Sequence, residues 1–196
     1  ERLVKQTGSE TLDVSEAVMQ HVSDTQQPQG VLGVFPMPRT EIPDPLNHVL
    51  ILDSIRDPGN LGTILRTAAA AGIEAVLLSP TCADPYNPKV LRSGMGAHFR
   101  IAVAGAEWEE INARCKGMAV YMAAGESQQR YDEVDWSRRW AIIIGSEAHG
   151  AGDAARQLAT TGIRIPMAAD TESLNAAVAA GIIMFEATRH KTSFSD

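Results

Sequence analysis

Three polar stretches of this chain combine turn-forming residues with side chains able to bind or polarise a ligand. In D-S-I-R-D-P-G-N-L-G-T-I-L-R-T-A (53–68), Pro58, Gly59 and Gly62 permit a tight turn with close backbone approach, Asn60 is placed to cap a following helix, and Arg66 lies about one and a half turns further on. An anion or a ribose hydroxyl would meet Asn60 and Arg66 together; the plainer alternative is a cap and a solvated helix arginine. In I-I-I-G-S-E-A-H-G-A-G (142–152), a glycine-rich turn carries Glu147 and His149. It matches neither the dinucleotide fingerprint nor the P-loop, and a central carboxylate repels phosphate, so Glu147 is better suited to accept from hydroxyls or amines. His149 is left without a role. In the third stretch, 165–189, Met167, Ala168 and Ala169 form a small-residue loop suited to an apolar ligand. Capping at a helix start accounts for Thr171 or Ser173 but not for Asn175, a poor helix former.

The elements that must position these loops alternate. Residues 49–55, 75–79, 99–104, 118–124, 140–145 and 163–166 read as strands; 61–71, 89–95, 108–116, 153–159 and 173–189 read as helices. Strands apolar throughout and separated by helices predict a mostly parallel α/β sheet covered on both faces, whose ligands sit beyond the strands' carboxyl ends. In the last helix Leu174, Val178, Ile182 and Phe185 recur at helical spacing and predict the core-facing stripe. Ahead of residue 46, a short helix at 15–21 and a strand at 31–35 precede four prolines, so residues 1–45 read as a linker or remnant and 46–196 as the main domain.

With 196 residues and 44% apolar content, the chain has enough material for one ordinary buried core. The net charge of −7 means that any polyanion must be held by local basic patches. Cys82 and Cys115 stand 33 positions apart without ligand spacing, which fits reduced thiols, a cytoplasmic location and no metal. No apolar run approaches membrane-spanning length. The first residues lack both a signal-peptide pattern and an initiator Met, so the chain is expected to begin partway into a longer protein.

D-P-G-N-L-G-T-I-L-R-T-A (57–68), I-I-I-G-S-E-A-H-G (142–150) and I-P-M-x-x-x-x-E-S-L-N-A-A-V-A (165–179) occur in the order of the three motifs of the SpoU family of SPOUT methyltransferases, which the chain resembles over about residues 46–190. L-R-S-G-M-G-A-H-F-R (91–100) is similar to the family's intervening segment, departing from its usual pattern at Ser93-Gly94, and 22–34 resembles the join to an amino-terminal substrate-binding domain. The resemblance implies a carboxyl-terminal deep trefoil knot, S-adenosyl-L-methionine as cofactor, a homodimer with sites completed across the interface, and methylation of a ribose 2′-hydroxyl in RNA, foremost ribosomal RNA. It implies catalytic roles for Arg66, Asn60, Glu147, Ser173 and Asn175, and a cofactor pocket of Ile144, Gly145, Ile165, Met167, Ser173 and Leu174. The family proposes its motif arginine as proton acceptor; charge stabilisation of a developing alkoxide suits a guanidinium better. Arg56, Lys89, Arg92 and Arg100 are the candidate RNA contacts, against the plain reading of solvated surface charges. The competing functions are a transfer-RNA ribose methyltransferase, an RNA-binding module without turnover, and a nicotinamide dehydrogenase, the last lacking G-x-G-x-x-G after its first strand.

Overall fold

The computed structural model describes residues 10–23, 25, 27–37, 41–146, 150–168 and 173–189. The chain divides into two units, Glu1–Met37 and Pro38–Asp196. In the first, α1 (Glu16–Val22) starts at Ser15, whose hydroxyl accepts from the Val18 amide. The strand expected at 31–35 does not form: Val31, Leu32, Val34 and Phe35 are exposed, and strand geometry without a neighbouring strand leaves its backbone groups unpaired.

The second unit holds a seven-stranded sheet in the order β3-β2-β1-β6-β4-β7-β5, every pair parallel. The strands are β1 (His48–Leu52), β2 (Ala75–Leu78), β3 (Ala102–Gly105), β4 (Ala119–Ala123), β5 (Gln129–Arg130), β6 (Trp140–Ile144) and β7 (Thr161–Arg164). The helices are α2 (Pro58–Ala70), α3 (Pro88–Gly94), α4 (Trp108–Arg114), α5 (Asp153–Leu158) and α6 (Ala176–Thr188). Side chains alternate across the sheet. Leu50, Leu52, Trp140, Ile142 and Ile144 join α2, α3 and α6 in one core layer, while Val49, Ile51, Ala141 and Ile143 join α4 and α5 in the other. Two buried faces are why these strands read as continuous apolar runs.

Several boundaries move. The strand expected at 99–104 is a 3-10 turn (Ala97–Phe99) followed by β3, and that expected at 163–166 is β7, two residues earlier and paired with Tyr121–Ala123. β5 carries no apolar run and was not foreseen.

The predicted stripe on the last helix is a correction. Ala176, Ala177, Ala180, Ile183, Met184, Ala187 and Thr188 face the core, whereas Val178 and Phe185 are half exposed and Leu174 precedes the helix. This helix is apolar on every side, so periodicity could not choose the face. Packing against the rest of the core did: the buried side carries Ala176, Ala177, Ala180 and Ala187 together with the larger Ile183 and Met184, and on the neighbouring side a Cβ on Gly181 would stand in ordinary contact, 3.5 Å, with Thr67 Cγ2 of α2.

The α2–α3 contact is tighter still. A Cβ on Gly62 would fall 1.9 Å from Ser93 Oγ and 2.6 Å from the Val90 carbonyl, so the serine and glycine of the 91–100 segment serve close packing of the two helices.

Candidate functional site

Beyond the carboxyl ends of the adjacent strands β6, β4 and β7 lies a cavity of about 210 Å³, far more than the ~15 Å³ one water needs. β4 and its loop supply Met122 to Glu126, β6 and its loop supply Ile144, Gly145, Ser146, Gly150 and Ala151, and β7 leads to Ile165 and Met167. Ser173 and Leu174 close it from the entry to α6. All six residues proposed for the cofactor therefore line one cavity.

The loop after β6 doubles back sharply. The Ser146 amide donates to the Gly150 carbonyl at 3.0 Å and the Gly150 amide donates back at 2.8 Å. A Cβ on Gly145 would meet Ala151 N and Gly150 C at 2.3 Å, so only glycine allows this fold and the backbone itself becomes cavity wall. Arg156, on α5, braces the wall. Its Nε donates to the Ala151 carbonyl at 3.0 Å, and its Nη1 lies 3.6 Å from Glu126 Oε1 across the rim. Glu126 and Arg156 escaped the sequence reading; the available signal was a polar Gly-Glu-Ser turn directly after the apolar run of β4.

At the start of α6 the structure corrects the sequence reading. Asn175 is the N-cap: its Oδ1 accepts from the Ala177 and Val178 amides, so capping does explain it. Its Nδ2 donates to Asn60 Oδ1 at 3.0 Å, joining the first and third polar stretches across 115 residues. Asn60 is not a cap. Asp57 caps α2, its Oδ1 accepting from the Asn60 amide at 2.8 Å, and Asn60 stands in the first turn.

Arg66 is exposed on α2 and is not among the cavity residues. Six residues from Asn60, it lies about 120° round the helix from it. Glu147 and His149, like Ala169, Thr171 and Glu172, lie outside the described residues. Arg56 and Arg92 are exposed, Lys89 Nζ is 3.7 Å from Asp57 Oδ2, and Arg100 Nη2 donates to the Met95 carbonyl at 3.2 Å. Among the described residues no cluster of His, Cys, Asp or Glu could hold a metal ion, and no helix is long and apolar enough to cross a membrane.

These features define an α/β protein with a cavity at the strand ends of a parallel sheet, lined in part by the start of α6. The SpoU rRNA methylase family matches residues 47–185, and the chain belongs to that family. It is 36% identical over 182 residues to the 23S rRNA (guanosine(2553)-2′-O)-methyltransferase RlmP of Bacillus subtilis, covering 92% of this chain and 73% of that protein. It is 36% identical to the human mitochondrial rRNA methyltransferase 3 over 85% of this chain, and spans about half, 54%, of that relative's length. An AdoMet-bound rRNA methyltransferase from Sinorhizobium meliloti superimposes with a TM-score of 0.79 at 31% identity, covering 91% of this chain and 71% of that one.

Proposed function

We propose that this chain transfers the methyl group of S-adenosylmethionine to a ribose 2′-hydroxyl of ribosomal RNA. The observation that carries the reading is the Asn175–Asn60 hydrogen bond, made two residues from Ser173 in the wall of a cavity whose remaining lining is mainly apolar with Glu126 and Arg156 at its rim. The cavity fits the cofactor: backbone walls and apolar side chains suit a flat base, and the rim offers a carboxylate and a guanidinium to hydroxyls and to an amino-acid end. Ile144, Gly145, Ile165, Met167, Ser173 and Leu174 would hold it. When bound, S-adenosylmethionine supplies a methyl group already activated on a sulfonium.

The chain's own residues then align the attack and stabilise charge. Asn60 and Ser173 position the ribose and its neighbouring phosphate, Glu147 and Asn175 complete the polar network, and the Arg66 guanidinium stabilises the developing alkoxide. Arg66 and Asn60 stand on different flanks of α2, which favours a site completed by a second copy, as does the half-exposed apolar face of α6 at Val178 and Phe185. In this reading the protein is a homodimer, its carboxyl-terminal segment forms a deep trefoil knot, residues 1–45 are a linker or remnant of a substrate-binding domain, and the enzyme works in the cytoplasm without a metal. Arg56, Lys89, Arg92 and Arg100 serve as contacts to the RNA.

The test pairs calorimetric titration with S-adenosylhomocysteine and methyl transfer to ribosomal RNA. The native protein binds and transfers. Arg66→Ala abolishes transfer with cofactor affinity nearly unchanged; an active Arg66→Ala enzyme refutes the role, and a native protein that does not bind refutes the whole reading.

A further inference from the structure

Asp53 is a buried carboxylate, 4% exposed, that takes no part in the chemistry above and does not line the cavity. It follows β1 directly, and its amide donates to the Ile144 carbonyl at 2.9 Å, the last residue of β6 before the doubled-back loop. Its two oxygens are divided. Oδ1 accepts from the Ser54 and Ser79 hydroxyls, both at 3.1 Å. Oδ2 accepts from the Gly152 amide at 2.7 Å, where the loop ends and α5 begins. A Cβ on Gly152 would stand 3.3 Å from that oxygen, so glycine permits the close approach.

The loop is thus pinned at both ends by one residue, its entry through the Asp53 amide and its exit through the Asp53 side chain. Between these pins lie Gly145, Ser146, Gly150 and Ala151 of the cavity wall, and immediately beyond them α5 carries Arg156 to its rim. We infer that Asp53 is a positioning residue for cofactor binding, its side chain holding the Gly152 amide so that the wall formed by Gly145, Ser146, Gly150 and Ala151 is pre-shaped before the ligand arrives. The inference rests on the cofactor site proposed above and extends it to a residue outside the cavity.

The chemistry separates two requirements. Serine hydroxyls both donate and accept, so they adapt to whatever faces them; a backbone N–H only donates, so Gly152 needs an acceptor of this reach. Asparagine meets both needs, its oxygen toward Gly152 and its amide toward the hydroxyls. Alanine meets neither, and serine at 53 is too short to reach Gly152.

The experiment titrates the native protein, Asp53→Ala, Asp53→Asn and Asp53→Ser with S-adenosylhomocysteine and follows Gly152 amide exchange without ligand. Loss of a hydrogen bond to a charged acceptor predicts affinity weakened about tenfold or more in Asp53→Ala and Asp53→Ser, faster Gly152 exchange, and rescue to within about threefold of native in Asp53→Asn. Asp53→Ser stands in should the alanine variant fail to fold. A folded alanine or serine variant that binds as the native protein does, or an asparagine variant as weak as alanine, overturns the inference. Native protein that does not bind at all overturns the cofactor reading instead, and the exchange of Gly152 still decides whether Asp53 anchors the loop.

Discussion

Gly62→Ala should destabilise this protein although it exchanges a glycine for the best helix former inside α2. At an open helical position the substitution contributes about 1 kcal/mol of stability. Here the new methyl carbon would stand 1.9 Å from Ser93 Oγ, 2.6 Å from the Val90 carbonyl oxygen and 2.9 Å from Gly94 N. Ser93 could rotate away, but the other two atoms are α3 backbone, and α3 is held at its own start by the Asn87 cap. The helices must separate. Overpacking of this severity costs about 3 kcal/mol, so the net loss is about 2 kcal/mol, or roughly 4–8 °C in Tm for a domain of this size. Chemical denaturation followed by the fluorescence of the buried Trp136 and Trp140 measures it. The same substitution in a Ser93→Ala background should recover only a small part, because the carbonyl contact persists. A neutral or stabilised Gly62→Ala, or full recovery in the double variant, would refute the argument that backbone proximity sets this contact.

Asn175→Ala removes the α6 cap and the bond to Asn60 together and should cost about 2 kcal/mol in the same denaturation assay, whereas Asn175→Asp keeps the cap and should recover about half. Glu74 gives a pH signature. Burial raises the pKa of its carboxyl, but hydrogen bonds from the Asn47 amide and side chain and from His48 outweigh this and leave it below its ordinary 4.5. The folded state therefore holds this proton less readily than the unfolded chain, so the contribution is fully present above pH 4.5 and is lost as pH falls through the folded value. Glu74→Gln should cost up to about 1 kcal/mol at neutral pH, with the gap to native closing below pH 4.5 in a pH series of melts.

Most of the sheet could be read from the chain because its strands are buried on both faces. Runs such as Val49–Leu52 and Ala141–Ile144 leave no other reading once helices separate them. Apolar content failed wherever it did not decide burial. Among the described residues the 31–35 run has no strand beside it, β5 is polar at the sheet edge, and α6 offers apolar residues in every direction, so its packing side was set by its contact with α2 and the rest of the core. That last choice depends on a neighbour more than a hundred positions away.

The site shows the same limit at one residue. The family resemblance puts Asn175 in the polar network of the site, while its residue type alone reads as a poor helix former, because a cap is recognised by its acceptor and Ser173 or Thr171 would serve. The structure asks Asn175 for two functions at once: Oδ1 receives the amides of the first turn of α6 while Nδ2 donates to Asn60 on α2. Serine or aspartate would satisfy the first and lack the amide donor for the second, and glutamine is too long to cap. Asparagine is thus the side chain that both starts the last helix and ties it to the first polar stretch, and the second requirement becomes visible only when α2 and α6 are packed side by side.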